Sequence, residues 1–147
     1  MAAVLRPAAV RILSGAASEA PWVDCRPGIA VKVLAVDSER KSVEYLAHSD
    51  SGVNVGVHRH FAEGYIFIVE GSVINKTTGC VFKAGDFCYQ PPGDQHEEEA
   101  GPEGVTAYVS QRGTADLLVE FLDRDGKVID KYSISDFAKM LSGAPAT

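Results

Sequence analysis

The segment Val57-His58-Arg59-His60-Phe61-Ala62-Glu63-Gly64-Tyr65 carries two imidazoles one residue apart, with a carboxylate close behind. Side chains of a β-strand alternate between its faces, so His58 and His60 share one face and can grip the same ion. A pair alone also fits a solvated strand face. A third histidine changes the balance: in Gly85–His96, "GDFCYQPPGDQH", His96 follows a Pro-Gly turn. Pro91 cannot donate to a β-ladder and Gly93 accepts positive φ, so one strand ends there and the chain reverses. If the strand opened by His96 runs antiparallel beside His58 and His60, all three imidazoles meet at one point. Three neutral imidazoles on one side of a divalent ion leave positions open opposite, where water, O₂ or a chelating substrate can bind. With no carboxylate among the donors the ion keeps its full 2+ charge, which favours an anionic bidentate ligand such as an enolate.

Two carboxylates stand close enough in sequence to take part. Glu63 is a candidate further metal ligand, its alternative being a solvated loop residue. Glu98, in the run Glu97–Glu99, shares strand parity with His96 and is expected to face inward, as acceptor for a ligand's second N–H or as a proton carrier. Glu97 and Glu99 are expected on a solvated edge. The aromatics Phe61, Tyr65, Phe67, Phe87 and Tyr89 are expected in packed core or lining an apolar pocket at the metal.

The elements that must position these groups are short strands. Apolar-alternating runs, among them Ile29–Val36, Lys41–His48, Val53–His60, Gly64–Gly71, Val105–Gln111, Leu117–Leu122 and Lys127–Tyr132, are separated by Gly, Asp and Pro turns. That rhythm, rich in β-branched and aromatic residues, predicts an all-β sandwich or barrel. One helix is expected near the end, capped by Ser133 or Ser135, with Phe137, Met140 and Leu141 on one face. The chain therefore divides into an N-terminal arm (1–20), a β-barrel (21–132) and a C-terminal helix and tail (133–147).

At the histidines the chain resembles the cupin superfamily. Its second motif is a glycine, five residues, PxG, two residues and His, matched by Gly85, Pro91-Pro92-Gly93 and His96; Ala100 stands where the family has Asn. Its first motif is met at His58, His60 and Gly71, with Gly52 as the leading glycine. The family's glutamate position, counted back from Gly71, falls on Gly64. Glu63 is one residue out of phase and in a regular strand would face the other way; only a bulge would restore it. The resemblance implies a double-stranded β-helix, or jelly-roll barrel. The three-histidine form is similar to a cupin group containing acetylacetone dioxygenases and 2,4'-dihydroxyacetophenone dioxygenases, which split a carbon–carbon bond with non-haem iron and O₂. Softer features, "PWVDCRPGIAVKVL" and "DRDGKVIDKYSISDF", also resemble cupin domains of anti-sigma factors, which bind zinc. The implied cofactor is one divalent metal, Fe(II) before Zn, Ni, Mn or Cu, since imidazoles alone do not choose. The implied substrates are a small β-diketone or hydroxyketone and O₂. A non-redox metal enzyme of isomerase or hydrolase type, or a non-catalytic metal- or ligand-binding cupin, stays open.

Composition narrows the partners. The 147 residues carry a formal net charge of −6, with no basic footprint for phosphate backbones or anionic membranes. No run approaches the ~20 apolar residues of a membrane span. Cys25, Cys80 and Cys88 form no CxxC framework and read as free thiols of a reducing compartment, so the cytoplasm is expected. The first eighteen residues hold two arginines and no acid; they read as a retained arm, with an organelle-targeting segment as the alternative. Family likeness and the need to cover exposed strand edges suggest a homodimer. No nucleotide or nucleophile-elbow motif is present.

Overall fold

A computed structural model describes residues 20–143; the arm expected over 1–20 lies almost wholly outside the described residues. Ten strands follow in order: β1 (Trp22–Arg26), β2 (Ile29–Asp37), β3 (Ser42–Ser49), β4 (Asn54–His60), β5 (Glu63–Asn75), β6 (Val81–Lys83), β7 (Phe87–Gln90), β8 (Gln95–Arg112), β9 (Leu117–Leu122) and β10 (Val128–Ser133). A single helix, α1 (Ile134–Leu141), ends the described chain. Every strand pairing is antiparallel, and the sheet curls into the barrel expected from the turn-punctuated strand rhythm. No helix among the described residues is long and apolar enough to cross a membrane.

β8 is the spine. Its first part pairs with β4, its second with β3, and β5 runs along nearly all of its length. Beyond β4 lie β9 and β10, beyond β3 lie β2 and β1, and β5 carries β6 and β7 on its far side. Both long strands are read from sequence as two elements broken at glycines, yet each continues through the bend. Gly71 (φ +75°) and Gly104 (φ +76°) absorb it, and a Cβ on Gly71 would lie 1.9 Å from the Gly104 carbonyl oxygen. The register slips beside Gly71, so the two strands turn together without parting.

The core follows from period two. Val33, Val43 and Leu118 are fully buried, on β2, β3 and β9. Helix α1 closes one flank. Ser133 is its cap: the Ser133 hydroxyl accepts from the Asp136 N–H, and the Ser133 N–H donates to the Asp136 carboxylate. Ile134, Phe137 and Met140 are its buried residues. Leu141, four residues after Phe137 and so on the same face, is the last residue of the helix and is 40% exposed there. Phe137 stacks on Tyr45 of β3, centroids 4.8 Å apart, tying the helix to the barrel wall.

Candidate metal centre

β4 lies between β8 and β9, with His58 opposite both His96 and Phe121, and His60 opposite Val119. Arg59, between the two histidines, faces outward and pairs with Glu120. The Pro91–Asp94 turn is pinned to β4, since the His60 N–H donates to Asp94 O at 2.8 Å and the Gly93 N–H to His60 O at 2.7 Å. His58, His60 and His96 are only 4%, 6% and 2% exposed, and one nitrogen of each lies within 4.8 Å of the others. The fourth histidine, His48, is elsewhere, bonded to Thr106 and Asp50.

Two of the rings are held by their Nδ1 atoms. His58 Nδ1 donates to Gly56 O at 3.0 Å, and His96 Nδ1 to the Asp94 carboxylate at 2.8 Å. Both nitrogens of His60 are buried without a partner. Buried polar atoms in native proteins seldom stay unpaired, and an ion would satisfy this ring. Burial first, then the neighbouring His58 and His96, push the His60 pKa down to about 3, so it is a neutral, metal-ready imidazole at physiological pH. Together these residues fit a divalent metal.

Glu98 enters the same space. Its Oε1 lies 3.2 Å from His58 Nε2 and 3.3 Å from His96 Nε2. Burial alone raises its pKa, but hydrogen bonds and charge at His58 and His96 outweigh burial and hold the carboxyl well below its usual range. Burial likewise disfavours a charged His96, yet Glu98 and Asp94 outweigh it and raise that pKa. Glu98 thus faces inward, as its parity with His96 predicts, and sets a carboxylate beside the histidines. Glu97 and Glu99 face the other way, both reaching Lys76.

Glu63 is not brought to the cluster. It heads β5 on the outward parity and accepts from the Tyr89 hydroxyl at 3.1 Å. The inward position belongs to Gly64, opposite Gln90. The aromatic expectation fails for the same reason. Tyr65 and Phe67 share Glu63's face, and Phe87 and Tyr89 oppose them on β7. Phe87 and Tyr89 are 61% and 49% exposed, and Phe61 and Phe67 are exposed as well. The inward residues of these strands are Ile66, Ile68, Cys88 and Gln90.

A cavity of about 180 Å³ opens beside the histidines. Its walls are mainly aliphatic, from Val31, Ile66, Val109 and Val119, and it ends on Phe137 and Met140 of α1. Four polar features of these walls were not read from the sequence. Gln90 Nε2 lies 3.3 Å from His96 Nε2. Gln111 donates to the Tyr45 hydroxyl at 2.7 Å, leaving its buried Oε1 unpartnered. Arg26 lies 3.7 Å over the Phe121 ring, which packs on His58, and donates to Val55 O. Only Gln90 had a local sign, its place at the end of an alternating run before Pro-Pro-Gly; the others depend on partners far away in the chain.

The model of the ChrR cupin-like domain matches residues 12–115. Among solved structures, an RmlC-like cupin from Ralstonia eutropha JMP134 is 19% identical with a TM-score of 0.76, covering 85% of this chain and 81% of its own. An acetylacetone dioxygenase from Acinetobacter johnsonii is 19% identical with a TM-score of 0.68, covering 96% of this chain and 85% of its own. The DMSP lyase DddQ from Ruegeria pomeroyi DSS-3 is 20% identical with a TM-score of 0.62, covering 85% and 73%. No curated protein sequence matches the chain.

Proposed function

The chain belongs to the ChrR cupin-like family, and from that premise we propose that it is a non-haem Fe(II) dioxygenase cleaving a carbon–carbon bond in a small β-diketone or hydroxyketone. The observation that carries the reading is a three-histidine cluster of which His58 and His60 line a mainly apolar cavity. The likeness to an acetylacetone dioxygenase supports it. His58, His60 and His96 would hold the ion, which when bound supplies Lewis acidity toward an enolate and a place for O₂.

The chain's own residues do the selecting. Aliphatic walls favour a compact, weakly polar molecule and keep water away from it. Arg26 is the only Lys or Arg among the lining residues, it packs on Phe121 and donates through Nη1 to Val55 O, and a single cation gives sugars and polyanions little to hold them. Tyr45 is pushed up by burial and stays an O–H donor, while Gln111 Oε1 is a free acceptor beside it. This pair would hold a substrate carbonyl or hydroxyl distant from the reacting carbons.

The test is O₂ uptake by iron-loaded protein across β-diketones and hydroxyketones, with carboxylic products measured alongside. Uptake matched by cleavage products is expected. Metal-free protein that takes up no iron, or iron-loaded protein inert to the whole panel, would overturn the reading. A second reading, non-redox chemistry at the same centre, is favoured by the carboxylate among the cavity walls and by the likeness to a DMSP lyase. Product formation unchanged without O₂ would select it.

A further inference from the structure

The hydrogen atoms around the cluster can be counted. Gly56 O is a carbonyl and can only accept, so His58 Nδ1, at 3.0 Å, carries the proton. Asp94 Oδ2 accepts from His96 Nδ1 at 2.8 Å in the same way. A neutral imidazole has one N–H, so each ring presents a lone pair at Nε2, that of His96 also 3.3 Å from Gln90 Nε2. Both lone pairs are directed at a single carboxylate oxygen, Glu98 Oε1, at 3.2 and 3.3 Å. Without a cation these electron pairs repel. One divalent ion would satisfy the two Nε2 lone pairs and the carboxylate oxygen together.

We propose that Glu98 is the fourth protein ligand of the ion held by His58, His60 and His96, making a three-imidazole, one-carboxylate centre whose carboxylate comes from β8. The inference rests on the metal-binding part of the proposed function and not on the dioxygenase chemistry. The distances agree with shared ligation. Donors bonded to one ion at about 2.1 Å stand about 3.0 Å apart at right angles and about 3.4 Å apart at the tetrahedral angle. The two observed separations fall between these limits.

The strand that would ordinarily supply a cupin carboxylate cannot do so here. Its inward position is Gly64, and a Cβ there would lie 3.3 Å from Gln90 Oε1, so a neutral amide fills the space. Glu98, two residues beyond His96, reaches in from the adjoining strand. The ion would then keep one net positive charge rather than two. A monoanionic chelate would leave such a centre neutral.

The direct test is a crystal structure of the untagged full chain loaded with zinc, beside zinc affinities of wild type and Glu98→Gln measured by chelator competition. Expected are one zinc per chain, a Glu98 oxygen about 2.0–2.2 Å from it, and about 10- to 100-fold weaker binding by the variant. Cobalt(II) spectra of both proteins give a readout that a merely orienting carboxylate would not move: the d–d bands should change in intensity and position when the ligand is lost. Zinc bound by the three histidines with water in the fourth position, Glu98 beyond about 3 Å and unchanged cobalt bands would overturn this inference alone. A wild-type chain that binds no zinc or cobalt would overturn the metal reading and this inference together. Near-isosteric Glu98→Gln limits misfolding, and the wild-type structure decides the question even if that variant fails to fold.

Discussion

Two inner walls of the barrel face the same cavity and differ in kind. The β4–β8 wall presents His58, His60, His96 and Glu98, with lone pairs converging within 4.8 Å for the histidines and two close contacts to the carboxylate. The β5–β7 wall, inward at Gly64, Ile66, Cys88 and Gln90, presents no charge at all. The period-two rule acts equally on both, yet on β5 it turns the glutamate out and a glycine in. The lesson is that a donor set is a property of converging strands, so a ligand lost from one wall can be met from another.

The largest way to break this contrast is to strip the charged wall. His96→Ala should bind no stoichiometric metal, as read by elemental analysis of untagged protein, because it removes a ligand and frees Asp94 and Glu98 together. Leu118→Ala strikes the fully buried core of β9, beside the strand that carries His58 and His60. It should cost about 2–5 kcal/mol in chemical denaturation through lost burial and a residual cavity. On the uncharged wall the effects should shrink. Gln90→Leu removes the amide beside His96 and should weaken metal binding by about tenfold, the scale of an outer-shell contact.

Cys88 sharpens the contrast by reactivity. Burial, with Glu98 and Asp94 adding to it, raises its thiol to about 11, well above the ordinary thiol range. At pH 7–8 that lowers its thiolate fraction about a hundredfold, so it should alkylate far more slowly than exposed Cys80 in a mass-spectrometric time course. The smallest effect belongs to Glu63→Gln. Its carboxylate meets only the exposed Tyr89 hydroxyl, and metal content and stability should be unchanged within error.

Local geometry is legible without the fold. The shared face of His58 and His60, the outward phase of Glu63, the inward parity of Glu98 and the reversal before His96 all follow from alternation and from what Pro91 and Gly93 permit. The sequence narrows the cap to Ser133 or Ser135, and the structure selects Ser133 through its exchange with Asp136. Less was legible where alternation had two solutions. The aromatics of β5 and β7 are as apolar as core residues, and only the placement of Ile66 and Ile68 on the inner face shows that Tyr65 and Phe67 must face out. The long strands β5 and β8 read as pairs because glycine marks both a break and a bend.

What the chain determined by itself is a strand-rich barrel and three imidazoles of the right parity, because backbone periodicity and turn chemistry act over a few residues. What only the tertiary structure decided is which strands meet and in what register. His58 sits opposite His96, Gln90 opposite Gly64, and Gln111 reaches Tyr45, since β8 bends through Gly104 to serve both walls. Register between strands remote in sequence is set by the packing of the whole barrel, where a slip of one residue would exchange every inward side chain for an outward one. The convergence of Glu98 on His58 and His96 is a consequence of that global choice.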